Sequence, residues 1–159
     1  MRKNLLFMLA LPLLFAACNK SEKCPYTTTT AVAGAAEVAS LKAWLDASLL
    51  TYTQHPSGIF YQVVSPGAGA TADVCSDVTV KYSGRVNTST APFDRNDAGV
   101  TFPLGQLIAG WQIGIPLIKK GGSVILYIPP SLGYGASGSG ASIPPNSNLV
   151  FTIELLNVQ

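Results

Sequence analysis

Residues 101–130 read TFPLGQLIAGWQIGIPLIKKGGSVILYIPP, and this stretch decides the fold class. Thr101–Leu104 predicts a short strand, and the segment around Gly110-Trp111 predicts a short helix. Lys119–Gly122 ends that helix, because cations in a last turn and glycine just after it favour a helix C-terminus. Val124–Ile128 predicts a further strand, which two prolines end.

Outward from this stretch the sequence predicts more strands. Ile59–Val64 is a short apolar run, and Asp77–Ser83 alternates apolar and polar residues in the manner of a half-buried strand. The same alternation in 149–156 predicts the last strand. Residues 84–99 and 131–148 are rich in Gly, Asn, Ser and Pro and are predicted to be loops. Several strands around one short helix predict an α+β domain with an antiparallel sheet.

The segment before this domain carries a second pattern. Apolar residues recur at three- or four-residue spacing within residues 31–52 and predict one apolar helix stripe, which consists of Val38, Leu41, Leu45 and Leu49. A packing helix without chemistry is favoured, and a partner-binding or dimerising helix is the alternative. Residues 19–30 are polar and contain a Thr run, so we expect a linker there.

Residues 1–17 read MRKNLLFMLALPLLFAA, which is typical of a secretory signal peptide. Two cations precede an apolar run that is too short to cross a hydrocarbon core of about 30 Å. The following Phe15–Cys18 resembles a bacterial lipobox, which implies cleavage before Cys18 and its lipidation. We therefore expect a signal peptide (1–17), a lipidated tether with an amphipathic helix (18–53) and a folded domain (54–159).

The two remaining cysteines leave two states open. Export implies an oxidising compartment, so Cys24 and Cys75 either form a disulfide or remain unpaired thiols. The sequence holds no CxxC motif and a single His, so we expect no metal site.

The charge balance argues against nucleic acid as a partner. The formal net charge of +2 comes from Arg2 and Lys3 in the predicted signal peptide, so the rest is about neutral. A neutral chain without a basic run lacks the means to bind phosphates.

Covalent and acid–base motifs are also missing from the sequence, which has no GxSxG, no Cys/His pair and no phosphate-binding glycine loop. What remains is a group of aromatics near turns and strand ends: Tyr82, Phe93, Trp111, Tyr134 and Phe151. Such residues form either ordinary core or an apolar binding pocket.

A family resemblance bears on that choice. From Val80 onward the chain resembles the FKBP-type peptidyl-prolyl cis-trans isomerases, and its whole layout resembles that of lipid-anchored bacterial members. The matching segments occur in the family's order and include VKYSG (80–84), FD (93–94), FPLG (102–105), LIAGW (107–111), YIP (127–129), LGYG (132–135), IPPN (143–146) and LVFTIEL (149–155).

The resemblance implies a half-wrapped antiparallel sheet around a short central helix, with a proline pocket between them. It implies that Trp111 is the pocket floor, and that Leu107 and Ile108 bind substrate, Ile108 through its backbone N–H. The remaining implied site residues are the walls Tyr82, Phe93 and Phe151, the mouth residue Ile143, the hydroxyl donor Tyr134 and the carboxylate Asp94 beside the twisting amide.

Three departures from the family pattern stand in this sequence. Val100 aligns with the family's second wall phenylalanine, so it is expected in the pocket wall as a smaller residue. The loop after Asp94 is shorter, which leaves open whether Arg95 partners Asp94. The loop after Tyr134 carries Gly138, Ser139 and Gly140 in place of bulkier groups.

These implications together predict a peptidyl-prolyl cis-trans isomerase that acts on exported, proline-containing polypeptides. It would be anchored in the cell envelope through Cys18 and would need no cofactor. A non-catalytic chaperone or adaptor that uses the same groove is the alternative, and a structural lipoprotein is a third. The oligomeric state stays open.

Overall fold

A computed structural model describes residues 24–159, so the predicted signal peptide and Cys18 lie outside the described residues. Within these described residues, two α-helices and six β-strands follow one another. Their order is α1 (Ala35–Ala47), β1 (Thr53–Gln54), β2 (Phe60–Ser65), β3 (Asp77–Val86), β4 (Asp94–Pro103), α2 (Ala109–Gly114), β5 (Ser123–Ile128) and β6 (Leu149–Val158).

The strands form one antiparallel sheet in the order β1-β2-β5-β6-β3-β4. This confirms the predicted α+β class. The prediction of a loop over 84–99 was wrong at both ends, because Ser83 and Gly84 pair with Arg95 and Asp94. β4 is an edge strand, and an edge strand tolerates the polar side chains that gave this segment its loop-like composition.

Alternation along the strands gives the sheet two different faces. On β6, Phe151 and Ile153 face the main core, which also contains Trp111 of α2. Val150 points to the other face and joins a smaller cluster with Phe60 of β2. Because successive side chains of a strand point to opposite faces, one strand contributes to both layers.

Helix α1 covers the second face of the sheet. Leu41 and Leu45 are fully buried there against Phe60 and Val150. The predicted stripe does not extend to Leu49, because the helix ends at Ala47 and Leu49 takes a positive φ of 54° with 92% of its surface exposed. None of the helices within residues 24–159 is long and apolar enough to cross a membrane.

The segment before α1 differs from the linker that its composition predicted. Cys24 forms a disulfide with Cys75, with 5.5 Å between their Cα atoms. At the other end Ala33 is buried and its N–H donates to the Ser57 carbonyl at 2.8 Å. Residues 24–33 are therefore attached to the domain at both ends, and the disulfide resolves the state of the two cysteines that the sequence left open.

We expect Leu45→Ala to lower the free energy of unfolding by about 3 kcal/mol, because it leaves a cavity between α1 and the sheet. Leu49→Ala is the matched control and should change stability by less than about 0.5 kcal/mol, since its side chain is exposed. Urea denaturation of the two variants measures both values. Equal effects would contradict the packing of α1 described here.

Candidate active site

A cavity of about 240 Å³ opens between the sheet and α2. Its lining is aromatic and aliphatic apart from one carboxylate and two phenol hydroxyls, and consists of Tyr82, Phe93, Asp94, Phe102, Leu107, Ile108, Trp111, Tyr134 and Phe151. Eight of the ten residues expected at the site line this cavity, and the two exceptions are Val100 and Ile143. A volume below that of drug-sized pockets suits a single side chain or ring.

Trp111 of α2 forms the base of this cavity. Its indole packs edge-on against the rings of Tyr82 and Phe151, with centroids 5.3 and 5.2 Å away. Only 4% of the residue is exposed, yet it remains one of the cavity-lining residues. Its Nε1–H is buried and has no hydrogen-bond partner among the described residues.

Phe93 and Phe151 form one wall through an edge-to-face contact, with centroids 5.6 Å apart. They reach each other across Gly84 of β3. A Cβ placed on Gly84 would lie 2.8 Å from Phe151 Cδ1 and 2.9 Å from Phe93 Cζ, which is closer than real Cβ contacts come. The contact between Phe93 and Phe151 therefore requires glycine at position 84.

Phe102 forms the opposite wall, although neither the sequence pattern nor the family resemblance predicted it there. Its ring lies 6.2 Å from that of Tyr82 and 6.4 Å from that of Trp111. The prediction that Val100 lies in this wall was wrong. Val100 precedes Phe102 by two residues on β4, pairs with Val80 of β3 and does not line the cavity. Because residues two apart share a strand face, the alternation was compatible with either Val100 or Phe102 in the wall. The aromatic side chain of Phe102 was the one feature of the sequence that could have distinguished them.

Ile143 also lies elsewhere than expected. It is buried in the main core, and its backbone exchanges two hydrogen bonds with Ser139, at 2.9 and 3.1 Å. This pairing closes the glycine-rich loop after Tyr134 on itself. Ile143 thus supports that loop from behind and does not line the mouth of the cavity.

Besides the Trp111 Nε1–H, two further hydrogen-bond donors of the cavity are unused. Ile108 lies just before α2, where its N–H has no helical acceptor, and within residues 24–159 this N–H makes no hydrogen bond. Tyr134 is 37% exposed, and its hydroxyl makes no hydrogen bond in the same part of the chain. Both donors remain available to carbonyl groups of a ligand.

Another polar group of the cavity, the Tyr82 hydroxyl, already has a hydrogen-bond partner. The Tyr82 hydroxyl donates to Asp94 Oδ2 at 2.6 Å. Burial, followed by this bond to a carboxylate, raises the pKa of Tyr82 to about 12. Burial and the nearby Asp94 charge also raise the pKa of Tyr134. Both phenols are therefore neutral donors at physiological pH.

Asp94 does not pair with the neighbouring arginine. The Arg95 Nε donates to Asp97 Oδ2 at 3.0 Å, on the exposed side of β4. Adjacent residues of a strand point to opposite faces, so Asp94 faces the cavity while Arg95 faces away from it. This answers the question that the shortened loop left open, and it leaves Asp94 with Tyr82 as its partner.

The fold and this cavity define a small α+β domain with an aromatic pocket beneath one edge of its sheet. The sequence model of the FKBP-type peptidyl-prolyl cis-trans isomerases matches residues 69–156. The chain belongs to this family.

Individual relatives agree with that assignment. The chain is 43% identical over 104 residues to a probable FKBP-type peptidyl-prolyl cis-trans isomerase of Haemophilus influenzae, covering 64% of this chain and 43% of that protein. It is 42% identical over 106 residues to FkpA of Escherichia coli, covering 65% and 38%. The chain thus spans less than half of the length of these curated relatives.

Solved structures show the same fold. The crystal structure of FkpA from Escherichia coli matches with a TM-score of 0.70 and 36% identity, over 79% of this chain and 60% of that one. A peptidyl-prolyl cis-trans isomerase from Pseudomonas syringae matches with a TM-score of 0.69 and 28% identity, over 82% and 99%.

The Tyr82–Asp94 pair makes a prediction about pH. An unfolded tyrosine ionises near pH 10, so the contribution of Tyr82 to stability is complete below pH 10 and is lost as pH rises towards 12. The difference in 295 nm absorbance between the wild type and Tyr82→Phe should give a pKa near 12. Asp94→Asn should lower that pKa only in part, since burial is the larger cause. A Tyr82 pKa near 10 in the wild type would contradict the pair.

Proposed function

We propose that this chain is a peptidyl-prolyl cis-trans isomerase that accelerates rotation about Xaa–Pro bonds. One observation carries the proposal: the aromatic cavity over Trp111 has two unused donors, Ile108 N–H and the Tyr134 hydroxyl, at the place where a prolyl peptide would present its carbonyls. Membership of the family supports the same activity.

The reaction requires no bond to be made or broken. Amide resonance sets a rotation barrier of about 20 kcal/mol, which gives uncatalysed times of tens of seconds or more. The pyrrolidine ring would enter the cavity between Phe93 and Phe102 and rest on Trp111. Water stabilises the planar, charge-separated amide more than the twisted one, so a dry cavity favours the twisted state.

The polar groups would hold the substrate while its amide turns. Ile108 N–H and the Tyr134 hydroxyl would fix the flanking carbonyls, so that binding energy is applied to the twist. Asp94, oriented by Tyr82, would place its carboxylate beside the rotating bond. A thousandfold acceleration needs only about 4 kcal/mol, which a few oriented contacts supply without a nucleophile.

We further propose that the protein acts in the cell envelope. The chain would be exported, lipidated on Cys18 and held at a membrane, where its substrates would be exported, proline-containing polypeptides. The lipobox resemblance supports the anchor, and the Cys24–Cys75 disulfide supports export, because such bonds persist in oxidising compartments.

A paired substitution on β4 tests the activity and the wall assignment together. In a protease-coupled assay on an Ala–Leu–Pro–Phe peptide, we expect Phe102→Ala to lower kcat/KM about tenfold or more, because it opens the cavity to water. Val100→Ala should change kcat/KM less than about twofold. Absence of acceleration by the wild type at micromolar concentration would reject the isomerase and leave the chaperone alternative.

Metabolic labelling with palmitate in an exporting bacterial host tests the anchor. The wild type and Cys24→Ser should both incorporate label, whereas Cys18→Ser should not. Incorporation that persists in Cys18→Ser would exclude the proposed lipidation site.

A further inference from the structure

Residues 24–33, here called the strap, lie on the domain close to the cavity. The Cys24–Cys75 disulfide fastens one end of the strap and buried Ala33 fastens the other. Between these points the strap is loosely packed, since a second cavity of about 200 Å³ separates Thr28 and Thr29 from Gln112. The strap therefore contacts the domain at separate points.

Tyr26 makes the contact nearest the site. Its side chain packs against Gly105, where a Cβ would come within 2.6 Å of Tyr26 Cβ and Cδ2. Its hydroxyl accepts a hydrogen bond from Gln106 Nε2 at 2.6 Å. Tyr26 thus contacts the turn between β4 and α2 through both its ring and its hydroxyl.

That turn leads directly into the cavity. Gly105 and Gln106 precede Leu107 and Ile108, which line it. From α2, Gln112 Nε2 donates to the carbonyls of Leu107 and Gly105, at 2.7 and 3.3 Å. Gln112 and Tyr26 therefore both hold the turn.

A backbone hydrogen bond also connects the residue after Cys75 to the same turn. The Leu104 N–H donates to the carbonyl of Ser76 at 2.9 Å, and Ser76 follows Cys75 in the chain. One covalent bond therefore fixes both the strap that bears Tyr26 and the backbone that holds the start of the turn. Few other contacts hold Tyr26 in place, because the neighbouring strap residues Pro25 and Thr27 are exposed.

We propose that Tyr26 is a positioning residue for substrate binding, and that the Cys24–Cys75 disulfide keeps it in place. Tyr26 holds the 104–108 turn so that the free Ile108 N–H points at the substrate carbonyl. The kinetic part of this inference rests on the proposed isomerase function. Loss of the contact weakens a hydrogen bond that the ground state and the transition state share, so it raises KM more than it lowers kcat.

The test compares Tyr26→Ala, Tyr26→Phe and the control Thr27→Ala, which alters an exposed neighbour on the strap. We expect Tyr26→Ala to raise KM three- to tenfold with kcat within about twofold. Tyr26→Phe keeps the ring on Gly105 and should fall between Tyr26→Ala and the wild type. Thr27→Ala should match the wild type.

Reduction of the disulfide provides a second test, in which the effects of reduction and of Tyr26→Ala on KM should not add. Dithiothreitol should raise the KM of the wild type as Tyr26→Ala does, and should add little to Tyr26→Ala, because both changes act through one contact. Fully additive effects, or a KM that neither change alters, would overturn the inference.

A readout that does not need catalysis separates the two proposals. Amide hydrogen exchange at Leu104 and Leu107, whose N–H groups are bonded at 2.9 and 3.1 Å, should accelerate in Tyr26→Ala and in the reduced wild type. Exchange in α1 should stay unchanged. If the wild type proves inactive the isomerase function fails, whereas unchanged exchange at these two amides would overturn the strap's role.

Discussion

The contact between the Trp111 indole and the rings of Tyr82, Phe102 and Phe151 determines the rest of the structure. These rings come from α2, β3, β4 and β6, so one aromatic cluster joins the central helix to the far half of the sheet. Aromatic pairs prefer such edge-to-face arrangements over face-to-face stacking. The space left above the indole is the cavity, so the packing that stabilises the fold also creates the proposed active site.

The site has few polar groups because the proposed reaction only requires the substrate to be held in one orientation, with no bond made or broken. Asp94 and Tyr82 satisfy each other, while Ile108 and Tyr134 keep their donors free. A buried donor without a partner costs free energy. The Ile108 and Tyr134 donors lie at a helix start and on an exposed ring, where solvent or a ligand bonds them at little cost to stability. The buried Trp111 Nε1–H, in contrast, has no partner among the described residues.

Regular alternation and family motifs made the sheet and most cavity residues predictable. The alternation in 149–156 and the aromatic set around Trp111 agree with the structure. The edge strand β4 was not predictable, because its polar composition is that of a loop and only pairing with β3 makes it extended. Phe102 and Val100 share a strand face, so sequence alone did not separate them. The position of Tyr26 depends on a contact some 80 residues away in the chain, which no local pattern encodes.

The disulfide at Cys24 would also limit how far a domain anchored at Cys18 could travel from a membrane. If acyl chains anchor Cys18, as proposed, five residues lie between the anchor and the bonded Cys24. Six extended Cα steps span at most about 21 Å. With the bond broken, the chain would be free as far as Ala33, and fifteen steps would span about 50 Å. The oxidation state of one cysteine pair would then set the height above the lipid headgroups at which the domain meets its clients.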